Sequence, residues 1–284
     1  MNYLIASISC SVAVSVLLKL ARKYHIHIGQ VIALNYLMAI TLCIVLLAPQ
    51  AQPLLQASTV DYVVIAALGL LLPSVFFIMA QAVAQAGIVL SDAAQRLSLV
   101  LPLLAAVLIF AEPMQLSTAG GIVLGIGALL CLSLGGSSRS NHSSTAPTKI
   151  GYLLGVWVGY GVIDILFKQL ARSGLALGSS LLATFSLAAV VIVVVLLVQR
   201  VQWRLMAMGV GLVLGILNFG NIYFYIRAHQ HYPENPSLVF VAMNIGVISL
   251  GTLVGAGVFK EKLHPVHYLG LALAIAAVIT LMPN

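Results

Sequence analysis

Ten apolar stretches follow one another along this chain, most of them separated by only a few residues. They run approximately 3–22, 30–48, 60–83, 87–110, 115–135, 151–171, 177–199, 205–228, 237–259 and 264–282. A helix needs about 20 apolar residues to cross the hydrocarbon core of a bilayer. In lipid a helix is also the simplest way to satisfy every backbone polar group within one segment. The expected fold is therefore all-α integral membrane, with ten transmembrane helices. Thirteen basic and six acidic side chains in 284 residues cannot solvate a globular surface of this size, since a soluble domain carries about 25% charged residues. This excludes an ordinary soluble enzyme, a disordered chain and a basic nucleic-acid binder. The apolar start at Tyr3 lacks a basic n-region and reads as a first span, not as a signal peptide.

One break differs from the rest. Residues 136–149, rich in Ser and carrying Arg139, Asn141, His142 and Pro147, read as a flexible linker. It separates residues 1–135 from 150–284, with five apolar stretches on each side. Shifting the first half by 149 positions puts Lys19 on Lys168, Phe110-Ala111-Glu112 on Phe259-Lys260-Glu261, and Gly121 on Gly270. Three coincidences at one offset point to duplication. Five spans is an odd number, so the second half enters the membrane from the opposite side. Two inverted five-helix repeats are the architecture of secondary transporters, with a site at the repeat interface.

These features resemble the drug/metabolite transporter superfamily, in its EamA-like branch. The resemblance rests on two five-span halves, each ending Phe-x-Glu before a Gly-rich span, and on the lysine near the end of each half's first span. It covers nearly the whole chain. It implies export or exchange of small metabolites, amino acids or drugs across the cell (inner) membrane. Second spans of the family often carry a basic residue where this chain has Asn35-Tyr36, so an anionic substrate is not carried over.

Charges inside a bilayer are costly and mark function by default. Lys19 and Lys168 either line a central cavity or snorkel to the interface. Asp164 lies four residues before Lys168, on the same helical face, and is read as its ion-pair partner. Asp92 and Arg96 form a second i,i+4 pair, either a polar patch for substrate or a structural staple. Asn218, Asn221 and Tyr225 share one face of the eighth stretch. With Asn244, Gln81, Asn35 and Tyr36 they complete the expected substrate-binding or cavity-lining set, interhelical hydrogen bonding being the alternative role. His229 and His231 are read as surface residues of a loop, and Glu112 and Glu261 as helix-end anchors. Cys10, Cys43 and Cys131 lie in apolar stretches without a CxxC or Cys/His cluster. No disulfide, metal or cofactor is expected. Four Gly-xxx-Gly spacings, beginning at Gly121, Gly155, Gly211 and Gly251, signal close helix packing, and Pro73 and Pro102 signal kinks.

Two rivals were weighed. An integral membrane enzyme needs a catalytic constellation, and the sequence offers none. A non-transporting scaffold or assembly subunit fits poorly with intramembrane polar residues and an internal repeat. The expectation is a non-enzymatic secondary transporter working by alternating access. It takes a small polar or amphipathic metabolite, amino-acid-like, nucleoside-like or drug-like. Its partners are that small molecule and membrane lipid, without nucleic acid, and the chain is read as monomeric. Two fixed ion pairs favour facilitated diffusion or exchange, with proton antiport second. The breaks after the odd-numbered stretches carry eight basic residues: Arg22, Lys23, Arg139, Lys149, Arg200, Arg204, Lys260 and Lys262. The other breaks carry Arg172 and Arg227. By the positive-inside rule the first set is cytoplasmic and both termini face outward, opposite to the family's usual arrangement.

Overall fold

The structure, a computed structural model, describes residues 1–23, 28–50, 52–55, 57–86, 88–111, 116–134, 146–259 and 265–281. The described residues form helices and connecting turns, with no strand among them. In order these are α1 (Asn2–Lys23), α2 (Ile28–Leu47), α3 (Gln52–Leu55), α4 (Thr59–Ala86), α5 (Ile88–Leu97), α6 (Val100–Leu108), α7 (Leu116–Leu134), α8 (Ala146–Arg172), α9 (Leu177–Val198), α10 (Leu205–His231), α11 (Pro236–Phe259) and α12 (Pro265–Leu281).

Six helical segments are long and apolar enough to cross a membrane: Ile28–Leu47, Thr59–Val83, Ile150–Arg172, Leu177–Val198, Leu205–His231 and Pro236–Val258. Shorter apolar helices run Asn2–Leu17, Ala94–Leu108, Ala119–Cys131 and Pro265–Thr280. Only 33% of the apolar Leu177–Val198 segment is buried inside the protein. Val45, Leu108, Leu116, Val198 and Leu205 all point outward and are exposed. So much outward apolar surface suits lipid and not water. This is a multi-pass, membrane-type bundle.

The fourth apolar stretch is not one helix. It breaks at Ser98–Leu99 into α5 and α6. Pro102 has no N–H to give the Ser98 carbonyl. That carbonyl accepts instead from the Leu101 amide at 3.0 Å, and the Ser98 hydroxyl turns back to the Gln95 carbonyl at 2.5 Å. Pro73, by contrast, lies inside a continuous α4.

The N-terminal helices pack chiefly on the C-terminal ones. α1 and α2 lie on α10, α4 lies on α8 and α9, α2 crosses α9, and α7 pairs with α12. α1 also lies on α11, and α5 and α6 lie on α8. Glycines permit two of these approaches. A Cβ on Gly211 or Gly215 would come within 2.5 Å of the Cβ of Leu34 or Met38 on α2. On α8, added Cβ atoms at Gly155 and Gly159 would meet Ile78 at 3.0 Å and Val75 at 2.6 Å on α4. Two of the four glycine spacings thus bring backbones together at both positions. Gly251, at another, faces open space.

The bundle has two ends. At the first, the Met1 amine donates to the Tyr232 hydroxyl at 3.0 Å, the Ser179 hydroxyl donates to the Gln50 carbonyl at 2.7 Å, and the Arg172 guanidinium sits 5.4 Å from the Phe110 ring centroid. At the second, the Gln30 amide donates to the Gln202 carbonyl and accepts from the Arg204 amide at 3.3 Å.

Candidate functional site

Within α8, Tyr160, Asp164 and Lys168 are spaced four apart and therefore form a stripe on one helical face. The stripe runs from inside the bundle to its first end. Each residue meets a different neighbour. Tyr160 lies close enough to Tyr36 of α2 for the two phenols to interact electrostatically. The half-buried Asp164 accepts a hydrogen bond from the Tyr225 hydroxyl of α10 at 3.0 Å, and another from the Asn244 amide of α11. The fully buried Lys168 donates to the Pro233 carbonyl in the α10–α11 turn at 3.0 Å, with the Phe110 ring 5.9 Å away. The Phe167 ring meets the Tyr225 ring edge-on at 6.2 Å. Together these contacts clasp α8 to α10 and α11 at the first end.

Expectations change here for Asp164, Lys168 and His229. Asp164 and Lys168 share a face, but the Asp164 carboxylate is held by two neutral donors and the Lys168 ammonium caps a carbonyl. The i,i+4 spacing brings the side chains alongside each other, while α10 and α11 supply each of them with a partner. Nor does Lys168 snorkel, since its ammonium is drawn into the bundle by that carbonyl. His229 is not a surface loop residue. α10 continues to His231, and His229 lies 1% exposed with its ring between Tyr225 and Phe240, both centroids 4.8 Å away. Neither ring nitrogen has a hydrogen-bond partner among the described residues, and Lys168 is near enough to act on it electrostatically. His231 is exposed, as expected.

A second polar group lies deeper. Asn35 and Tyr36 on α2 are 1% and 0% exposed, and neither the Asn35 amide nor the Tyr36 hydroxyl has a hydrogen-bond partner among the described residues. Each such group costs about 1–3 kcal/mol. Tyr36 reaches α9 through the Phe185 ring at 6.3 Å.

The face shared by Asn218, Asn221 and Tyr225 divides between partners. Asn221 accepts from the Ser7 hydroxyl of α1 at 2.9 Å, whereas Tyr225 serves Asp164. Asn218 is buried, and Asn244 also donates to the Phe240 carbonyl at 3.0 Å. Gln81 is exposed on α4, and Arg96 is half-buried on α5. The side chains of Lys19 and Asp92, with Glu112, Glu261 and residues 136–145, lie outside the described residues. Sequence reasoning missed Tyr160 and placed His229 at the surface. Both carry a usable signal: Tyr160 is four residues before Asp164, and His229 is four after Tyr225.

No family model matches the chain. A solved crystal structure of a protein 16% identical in sequence superposes with a TM-score of 0.70, over 99% of this chain and 96% of its own, which shows a shared fold. An uncharacterized protein of Haemophilus influenzae is 51% identical over 290 residues, covering 99% of this chain and 97% of that one. Identity of that degree along the whole length means that the chain belongs to the same family as the Haemophilus influenzae protein.

Proposed function

We propose that the chain is a secondary transporter of the cell (inner) membrane, built of ten spans in two inverted five-helix repeats and resembling the EamA-like drug/metabolite transporters. It moves a small polar or amphipathic metabolite by alternating access. The observation that carries this reading is a register match between contacts. At the sequence offset of 149, Trp157 and Leu97 correspond to Ile8 and Gly246. The Trp157 indole donates to the Leu97 carbonyl at 2.9 Å, and the Ile8 side chain closes on Gly246. Ser179 corresponds to Gln30. Each begins a helix and reaches a carbonyl just beyond the end of the other's helix, at Gln50 and Gln202. Whole helices follow the same exchange: α1 lies on α10 as α8 lies on α4, and α2 lies on α10 as α9 lies on α4. Such pairing supports a two-fold axis in the membrane plane, the relation that lets two halves rock around a midplane site.

The α8 stripe supplies hydrogen-bonding groups for the polar part of a solute. A groove of about 440 Å³ between α1, α10 and α11, lined almost wholly by apolar side chains, suits an amphipathic one. Asp164, held by neutral donors, favours a second reading of the energetics in which a proton exchanges with the solute, since a fixed ion pair no longer neutralises the carboxylate.

The test is flux in vesicles containing the purified protein, over labelled amino acids, nucleosides and cationic drugs. Saturable uptake accelerated by the same solute inside is expected. Flux no greater than in protein-free vesicles across that panel would favour a scaffold or assembly subunit. For orientation, the eight basic residues in the breaks after the odd-numbered stretches argue that those breaks face the cytoplasm. A reporter fused after Asn284 that is active in the cytoplasm would reverse this.

A further inference from the structure

The α8 clasp has an image that the structure leaves open. At the same offset of 149, Asp164 corresponds to Ser15 on α1, and Tyr225 to Phe76 on α4. Asp164 and Tyr225 meet at 3.0 Å, whereas Ser15 is exposed and its hydroxyl bonds back to the Ser11 carbonyl of its own helix at 3.1 Å. A neighbouring position differs in the same sense. Gly161 and Leu101 correspond to Val12 and Leu250. At the first site the fit is so close that a Cβ on Gly161 would lie 2.6 Å from the Leu101 side chain. At the second, Val12 and Leu250 stand on the walls of the groove of about 440 Å³. The contacts between α2 and α9 match their own images, and the contacts of α8 with α6 and α10 do not. Halves that agree along α2 and α9 and differ around α8 and α1 have swung to one side.

We propose that α1 carries a latent second clasp, in which Ser15 closes on Phe76 when Asp164 parts from Tyr225. The proposal rests on the transporter reading above and names the residues of its opposite gate. The two clasps differ chemically. The first joins a carboxylate to a phenol, and the second joins a hydroxyl to a hydrocarbon ring. Closure at the second end is therefore driven by packing. Phe76, partly buried, already packs against the main core, so the closing motion belongs to α1.

The test uses the full chain with Cys10, Cys43 and Cys131 replaced, reconstituted in vesicles. Ser15→Cys with Phe76→Cys is oxidised to a cross-link, alone and together with Tyr225→Phe. Removing the Tyr225 hydroxyl takes one hydrogen bond from the first clasp, so cross-linking should rise roughly two- to tenfold. Spin labels on exposed Arg172 and Glu234 report the first end, and labels at their images Lys23 and Gln85 report the second. The two distances should change in opposite senses on Tyr225→Phe. Solute flux with no cross-link, and with the Lys23–Gln85 distance fixed, overturns the second clasp and leaves transport standing. A cross-link with opposed distance changes but no flux of any solute supports the clasp and overturns the transport reading.

Discussion

The outer half of α8 and the outer half of α1 occupy equivalent places in the chain and have opposite surroundings. On α8, Asp164 and Lys168 are enclosed by Tyr225, Asn244 and the Pro233 carbonyl. On α1, Ser15 is exposed and satisfies itself within its own helix. Under the proposed duplication the two scaffolds are images of each other, but among the described side chains the polar contacts between helices gather on α8. The α8 end is held by specific hydrogen bonds and can respond to what binds them. Among the described side chains of that part of α1, Ser15 bonds within its own helix.

The strongest challenge to this comparison is at its pivots. Gly215→Val puts a branched side chain where the Met38 Cβ is already 2.5 Å from the added Cβ. A loss of about 2–4 kcal/mol is expected, read as a much lower unfolding temperature in detergent or as failure to accumulate. Gly251→Ala, with nothing within 4 Å of its added Cβ, should shift stability by under about 0.5 kcal/mol. Equal effects at both positions would mean that the α2–α10 contact is not a close one.

Asp164→Asn next asks whether the carboxylate does more than fill space. Hydrogen bonds to a charged group contribute about 1.5–3 kcal/mol, so solute flux should fall roughly ten- to a hundredfold. Ser15→Ala should stay within about twofold of the parent, since a hydroxyl bonded to its own helix adds little. Comparable losses from both would erase the asymmetry between the two ends.

Lys168→Ala removes the fully buried ammonium that donates to the Pro233 carbonyl, and a hydrogen bond from a charged group contributes about 1.5–3 kcal/mol. Flux should drop more than for Lys19→Ala at matched expression. Near-parent flux from both variants would show that neither lysine matters to the gate.

The smallest effect is expected at His229. Its unpartnered ring lies between two aromatic rings, so His229→Phe removes two orphaned nitrogens while keeping much of the shape. The unfolding temperature should hold or rise by about a degree or two. A marked fall would reveal a partner for the imidazole.

Much of this was legible in the sequence, and the reasons differ by residue. Apolar windows of span length marked the helices because lipid demands them, and six appear as long apolar helices. The break at Ser98 was missed because a proline shows only that a donor is gone, and not whether the helix bends, as at Pro73, or splits, as before Pro102. Asp164, Lys168 and Tyr225 stood out in the sequence as polar groups within apolar stretches, and the structure buries Lys168 and Tyr225 and half-buries Asp164. Their partners were not foreseen, because i,i+4 spacing describes one helix and the Asp164–Tyr225 bond joins residues 61 apart. His229 was misjudged because Pro233 and Glu234, just beyond it in sequence, form a turn, whereas its neighbours in space are Tyr225 and Phe240.

The interleaving of early helices with late ones has a consequence for how the protein is made. α1, α2 and α4 find their main partners in α8, α9 and α10, all emerging from the ribosome long after them. At about 5–20 residues per second, the roughly 90–200 residues between such partners take on the order of 5–40 s to synthesise. Through that interval Asn35 and Tyr36 have to wait in or beside the bilayer without the helices that will bury them. The newborn chain is thus an unfinished client for the insertion machinery, and a pause or truncation after the first half strands those polar side chains in lipid.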